Sequence, residues 1–370
     1  MTPDADLAVV GAGLMGAATA WAASRRGLDV VLLEQFAPGH DRGSSHGSAR
    51  IVRRAYADAL YVRMTGRAMS LWRELESDAH VSLLRMTGGL DHGAGRDPEG
   101  IAAVLADCGV PHDLLSASEA AHRWPGLRFA GPVLHHEEAG TVDAARAVDA
   151  FVRRAGERGA QVRHGYEVRR IVVLGEEGVR LEGADGSTVT ARRVVVSAGA
   201  WVRDLVGGLV PLPELVVTQQ QVFHFACGDE VAAEWPVIVH KADLSTYSLP
   251  GGRDGGPGDA RKIAEHDAGA PTTARTRSGT VDPAARERIT AYVRDWLPGL
   301  VPEPFNEATC LYTSTLNEDF LLDRAGPVVV ASPCSGHGAK FAPLIGEWTT
   351  DLATGRGPGP DARFSLAAHG

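Results

Sequence analysis

Basic residues are in deficit: 37 lysines and arginines stand against 46 aspartates and glutamates in 370 residues, a formal charge of −9. Such a balance disfavours nonspecific attraction to nucleic acid or to an anionic membrane surface, and it makes any local basic group conspicuous. Cysteine is scarce too. Cys108, Cys227, Cys310 and Cys334 lie far apart with no CxxC pair, so neither a zinc site nor a disulfide framework is indicated. No apolar run approaches the roughly 20 residues of a spanning helix. Met1 to Asp6 lacks the basic residues that precede a secretory signal core, and a cytoplasmic protein without nucleic-acid or membrane partners is expected. What is present is a 44% hydrophobic chain, long enough to bury a large core in two domains.

The opening is read most directly. Leu7 to Val10 is a short apolar run, Gly11-Ala12-Gly13-Leu14-Met15-Gly16 follows, and an Ala-rich stretch continues to Arg26. This is strand, tight turn and helix. Gly27 sits at the helix stop, Val30 to Leu33 is a second strand, and Glu34 closes it. In Gly11-x-Gly13-x-x-Gly16 the glycines supply a tight turn, close backbone approach to a pyrophosphate, and close helix–strand packing; the pyrophosphate sits on the helix N-terminus. Glu34, 18 residues after Gly16, is placed to accept hydrogen bonds from a ribose. The motif points to a dinucleotide and does not choose between NAD and FAD.

Further along, Ala37 to Arg54 is polar and Gly-rich, a loop long enough to suggest function. Helices are predicted over Val62 to Glu76, Ala144 to Arg158, residues 282 to 297 with Asp282 as N-cap and Pro283 at the first position, and about Pro343 to Leu352. Strands are predicted near Gln161-Val162, over Val168 to Leu174, Val179 to Glu182, Arg192 to Ser197 and Val328 to Ala331, with sheet-like alternation in 212–250. Gly251 to Asp259 is loop by composition. One nucleotide-binding domain is thus drawn from both chain ends, with a substrate domain inserted.

Four further blocks occur in order: His46-Gly47-Ser48-Ala49-Arg50-Ile51-Val52-Arg53, Ser197 to Trp201 (SAGAW), Cys310 to Phe320 (CLYTSTLNEDF) and Ser335 to Phe341 (SGHGAKF). With them the chain resembles the monomeric sarcosine oxidase and N-methyltryptophan oxidase family, FAD-dependent amine oxidases of the D-amino-acid oxidase superfamily. The resemblance implies an α/β fold with an FAD-binding Rossmann-like domain, residues 1–80, 145–210 and 320–370, and a sheet-containing substrate domain, residues 81–144 and 211–319. It also implies FAD joined covalently to the sulfur of Cys310. A buried inert thiol is the ordinary state of cysteine, but the flanking Tyr312-Thr313 and Asp319-Phe320 favour the family role.

Other roles follow from the same resemblance. Gly11, Gly13, Met15, Gly16, Glu34, Ser45, Arg50, Gly199, Trp201, Gly336, Gly338 and Lys340 join Cys310 in holding the cofactor. Arg53 and Lys340 match the cations that bind a substrate carboxylate, a planar fork and a point charge, with Tyr247 nearby. Lys262 matches the lysine that promotes reaction of the reduced flavin with oxygen, where fixed positive charge favours a developing anion. His46 and Arg50 match positions beside the flavin ring, and His266 a further active-site histidine. Ala49 departs from the threonine common in the family.

The implied reaction takes a hydride equivalent from the carbon beside a secondary amine nitrogen, the expected substrate being an N-methyl or cyclic amino acid, and gives an imine and hydrogen peroxide with oxygen as acceptor. A cationic cluster of Arg50, Arg53, Lys262 and Lys340 would favour the reactive, unprotonated amine. Rival readings are a flavin dehydrogenase using another electron acceptor, an NAD-dependent dehydrogenase, and a non-catalytic flavin-binding protein. The family likeness suggests a monomer.

Overall fold

The computed structural model describes residues 3–175, 178–228, 230–256 and 259–369. Strand β1 (Ala5–Val10), helix α1 (Leu14–Arg25) and strand β2 (Val30–Glu34) form the opening unit as predicted, and β1 pairs parallel with β2. Gln161–His164 extends the sheet beyond β2, while Thr188–Val196 lies parallel on the other side of β1. That long strand pairs in succession with Val179–Gly183 and with Val328–Ser332. Val168–Val173 and Leu321–Ala325 complete eight strands.

Both faces of this sheet are covered, and alternation along β1 shows how. Leu7 and Val9 pack with Leu32, Val195, Phe341 and Ile345 on one side; Ala8 and Val10 pack with Val31, Leu33, Val194 and Val330 on the other. A parallel sheet buried on both faces reads as a continuous apolar run, which is why β1 and β2 are legible without any period of two. On the first face, α1 lies against the helix Ala342–Thr354, which starts near the expected Pro343.

A second, nine-stranded sheet is built from residues between 89 and 314. Its spine is Val216–Cys227, paired antiparallel with Ala260–Glu265 on one side and with Leu300–Ser314 on the other. The latter strand is missing from the sequence reading. Pro302 and Pro304 argue against a strand, yet it lies at the edge of the sheet, where a residue without an N–H is tolerated. Strands Gly89–His92 and Val133–His136, and helix Pro98–Asp107, also went unread.

A third sheet of three short strands includes β3 (Arg50–Arg53). The predicted loop Ala37 to Arg54 therefore ends in a strand, because pairing with Ala139–Val142 satisfies its backbone. The helix Pro283–Trp296 carries the expected cap, Asp282 accepting from the amide of Ala284. Within the predicted loop Gly251 to Asp259, Pro257 and Gly258 lie outside the described residues. None of the helices described is long and apolar enough to cross a membrane.

Gly16 has a role that any side chain would destroy. A Cβ there would overlap the carbonyl oxygen of Gly11 and sit 3.3 Å from Val9 Cγ1. Gly156, inside the helix Ala144–Glu157, has open space where its Cβ would be. Gly16→Ala is expected to destabilise by at least the upper end of the ~1–3 kcal/mol typical of overpacking, whereas Gly156→Ala stabilises by about 0.5–1 kcal/mol. Urea unfolding midpoints check both; equal midpoints would contradict the close approach of helix and strand.

Candidate active site

One cavity of about 1420 Å³ runs between the sheets, above the ~300–1,000 Å³ range of ordinary small-ligand pockets. Its walls include Gly11, Gly13, Met15, Glu34, Ser45, His46, Arg50, Arg53, Gly199, Trp201, Tyr247, Lys262, His266, Cys310, Gly336, Gly338 and Lys340. Of the site residues expected from sequence, Gly16 alone is absent from the wall, since it faces Gly11 inside the turn.

At one end, Gly11 has φ +94°, and a Cβ would meet Ser197 O at 2.7 Å, so the turn is pressed against the start of the SAGAW block. Gly13 precedes α1 and offers no side-chain cap to it, while Ser45 Oγ accepts from the amide of Leu14 at 3.0 Å. Free amides and the helix dipole make this end suited to an anion. Glu34 is buried at the tip of β2, its two carboxylate oxygens accepting from the amides of Ala12 and Phe36 at 2.8 and 2.9 Å. Trp201 approaches Phe36 edge-on, with ring centroids 5.7 Å apart.

In the middle, Arg50 turns back onto its own loop, donating to the carbonyls of Ala49 (2.9 Å), His46 (2.5 Å) and Ser44 (3.2 Å). It therefore staples the Gly-rich loop as well as facing the cavity. Lys262 Nζ lies 3.4 Å from the same Ala49 carbonyl. Burial first and the Arg50 charge second pull the Lys262 ammonium down to about 7. His46 Nε2 is buried without a partner among the described residues, and burial, Arg50 and Lys262 hold its imidazole at about 4, so it is neutral. Cys310 is buried on the edge strand, its thiol 3.7 Å from the carbonyl of Leu311.

Sheet register explains this grouping. Gln220 faces Cys310 and His224 faces both Lys262 and Asn306. Positions 220 and 224 share a face, since strand side chains alternate with period two. The spine thus brings Lys262 and Cys310, distant in sequence, to the same side.

At the other end, Arg53 stacks its guanidinium 4.3 Å from the ring centroid of Tyr56, and Lys340 Nζ lies 5.7 Å from the same centroid. Arg53 Nη1 is buried with no acceptor among the described residues, and Lys340 donates to the carbonyl of His337 at 2.6 Å. Burial, then Arg53 and Arg96, hold the Lys340 ammonium well below its usual range. His266, held at about 4 by burial and then by Lys241, Arg53, Lys340 and Arg96, belongs to this end and not to the Lys262 group. Tyr247 shares a hydrogen bond with Tyr312.

The expected single cluster of four cations is therefore two pairs, Arg50 with Lys262 and Arg53 with Lys340, at separate parts of one cavity. Sequence reasoning missed Arg96, Lys241, Tyr56, Glu318 and Asp254, all of which line it. Lys241 carries a faint signal, a lone charge ending the apolar strand Val237–Lys241; Arg96, in a Gly-rich turn, carries none.

Comparison with known proteins agrees with this geometry. The model of the FAD dependent oxidoreductase family matches residues 6–352. Human peroxisomal sarcosine oxidase is 32% identical, over 94% of this chain and 92% of that protein. Monomeric sarcosine oxidase from Bacillus sp. (strain B-0618) is also 32% identical, over 99% and 96%. Among solved structures, a variant of NikD, an unusual amino acid oxidase essential for nikkomycin biosynthesis, superposes with a TM-score of 0.87 at 25% identity, covering 98% of this chain and 96% of that one.

Burial of Lys262 has a measurable consequence. Between about 7 and the ordinary lysine value of 10.5, the unfolded chain holds a proton that the folded apoprotein does not, so this group makes stability rise with pH across that window. Below it, the fold must bury a full charge. Lys262→Met is thus expected to raise the apoprotein melting temperature more at pH 6 than at pH 9. Equal shifts at both pH values in thermal melts, or a loss at pH 6, would show that Lys262 is not desolvated.

Proposed function

The chain belongs to the FAD dependent oxidoreductase family, and we propose that it is an oxidase of secondary amino acids, N-methylated or cyclic, that forms an imine and returns its electrons to molecular oxygen as hydrogen peroxide. The observation that carries this reading is the joining, in one cavity, of a dinucleotide cradle at Gly11–Gly16 and Glu34 to a cationic pair, half-buried Arg53 and buried Lys340. The cradle fits FAD: its glycines leave no side chain between backbone and ligand, and Gly13 at the start of α1 brings no side-chain cap of its own. Residues 1–80, 145–210 and 320–370 would hold it, with Glu34 on the ribose and Cys310 as the point of covalent attachment.

Bound there, FAD supplies a two-electron acceptor for the hydride leaving the carbon beside nitrogen. Arg53 and Lys340 receive the substrate carboxylate, the guanidinium through paired donors and the ammonium as a point charge. Anchoring that carboxylate sets where the reacting carbon lies, which converts a chance encounter into an oriented one. Positive charge around the pocket also lowers the pKa of the bound ammonium and favours the free amine. Lys262 provides the fixed charge that stabilises the anion formed as oxygen takes up its first electron. Arg50 keeps the loop in place, and His46 stays neutral beside it. The enzyme acts as a cytosolic monomer.

Purified holoprotein is expected to show flavin bands, and acid precipitation to leave the colour in the pellet. Cys310→Ala releases it to the supernatant. With sarcosine or an N-methyl amino acid, peroxide forms in step with substrate loss. Lys262→Met slows reoxidation of the reduced enzyme by at least tenfold while anaerobic reduction changes little, measured by stopped flow. Colour lost from the wild-type pellet would remove Cys310 from the linkage; turnover without peroxide would make the enzyme a dehydrogenase.

A further inference from the structure

Assigning Arg53 and Lys340 to one carboxylate leaves positive charge over at the same end of the cavity. Strands Gly89–His92 and Val237–Lys241 run side by side in parallel, Asp91 opposite Val239 and His92 opposite His240. The chain then turns back, and the amide of Gly95 donates to the carbonyl of Lys241 at 2.9 Å. A Cβ on Gly95 would lie 3.5 Å from Lys241 Cβ. This contact brings Arg96, the next residue, beside Lys241, and both line the cavity together with Arg53 and Lys340.

Two acidic groups answer these four cations, and only one is engaged. Asp91 is buried and accepts from Arg96 Nε at 2.5 Å. Arg96 Nη2 donates to the carbonyl of Ala55 at 3.0 Å, which leaves Nη1 without an acceptor among the described residues. Glu318 lines the cavity as well and attracts Lys241 from a distance, without an ion pair between them among the described residues. Lys241 is half-buried and has no hydrogen-bond or ion-pair partner among the described residues. Its ammonium is lowered by burial first and by Arg96 next, against a pull the other way from Glu318, so burial and the neighbouring guanidinium outweigh the carboxylate that faces it. His266 is held neutral by burial first and then by the combined charge of Lys241, Arg53, Lys340 and Arg96, all of which line the same cavity.

A ligand with a single carboxylate neutralises one charge and leaves half-buried Lys241 and the outer edge of Arg96 facing the cavity with no anion of the ligand upon them. Partly buried cations without counterions are unfavourable, and charge-assisted hydrogen bonds are the strong ones. We infer that the pocket takes a secondary amino acid whose side chain bears a second carboxylate, with Arg53 and Lys340 on the α-carboxylate and Lys241 with Arg96 Nη1 on the other. This rests on the reading of the site as that of a secondary amino acid oxidase, and it narrows the substrate class.

The test compares N-methylaspartate and N-methylglutamate with N-methylalanine on the holoenzyme. At least one diacid is expected to exceed the monoacid tenfold or more in kcat/KM. In Lys241→Met that advantage collapses, while Lys241→Arg keeps it, which shows that lost charge and not lost folding is responsible. Diacids no better than N-methylalanine, or a preference untouched in Lys241→Met, overturn the inference. Binding separates this result from failure of the oxidase reading. Succinate and glutarate, titrated against the flavin spectrum, are expected to bind tenfold tighter than butyrate in the wild type but not in Lys241→Met. That outcome supports the diacid pocket even if no amine is oxidised, and equal binding of all three overturns it.

Discussion

Positive charge buried without matching negative charge is the constraint on which the rest of this structure turns. Removing an ion from water costs several kcal/mol unless a partner repays the loss, yet buried Lys340 and Lys262 and half-buried Arg53 all sit in the walls of one cavity with no ion pair to a carboxylate among the described residues. The depressed ammonium values of Lys262 and Lys340 are that cost seen from the proton's side. A fold that tolerates such groups is built for anionic occupants, and their binding is linked to its stability. The glycine turn, where amides and not side chains face the ligand, answers the same need for a pyrophosphate at the far end.

Such a pocket works only if its walls do not relax to bring the charges into water, and the two large sheets prevent this. The first is buried on both faces, so β1 cannot shift without exposing one of two apolar clusters. The second hangs on Val216–Cys227, whose two flanking strands carry Lys262 and Cys310. Rigid strands fix such groups better than loops do. The one loop at the centre, Gly43 to Ala49, is itself held by Arg50 through three carbonyls and by Ser48, which bonds Asp254.

How much was legible in the sequence follows the distance over which each feature is decided. The strand–turn–helix–strand opening and the Asp282–Pro283 helix start are local, and both are found where the residues put them. The site blocks could be recognised by their resemblance, and their convergence on one cavity follows from it. Leu300–Ser314 was hidden because its prolines are acceptable only at a sheet edge, a fact of the partner strand and not of the segment. Arg96 and Lys241 were hidden because a parallel pairing between residues 89–92 and 237–241 brings them together. No local pattern encodes that pairing, nor the long-range placement of Lys262 and Lys340 against Arg50 and Arg53 that divides the four expected cations into two pairs.

That division bears on how a proton leaves the substrate. In the proposed reaction Arg53 and Lys340 would hold the carboxylate while Arg50 and Lys262 stand apart, so attraction for an anion would not draw it to the wrong end. The histidines nearby are all held neutral by burial: His46, His224 and His266 at about 4, and His337 well below its usual value. An imidazole of that kind is a poor acceptor for an ammonium proton, since its conjugate acid is far stronger than the ammonium. None of these side chains is therefore suited to act as general base on the amine. What the proposed reaction would draw on instead is a field: each cation that binds the carboxylate would also lower the ammonium pKa, so the contacts that hold the substrate would favour loss of its proton to water before the carbon–hydrogen bond breaks.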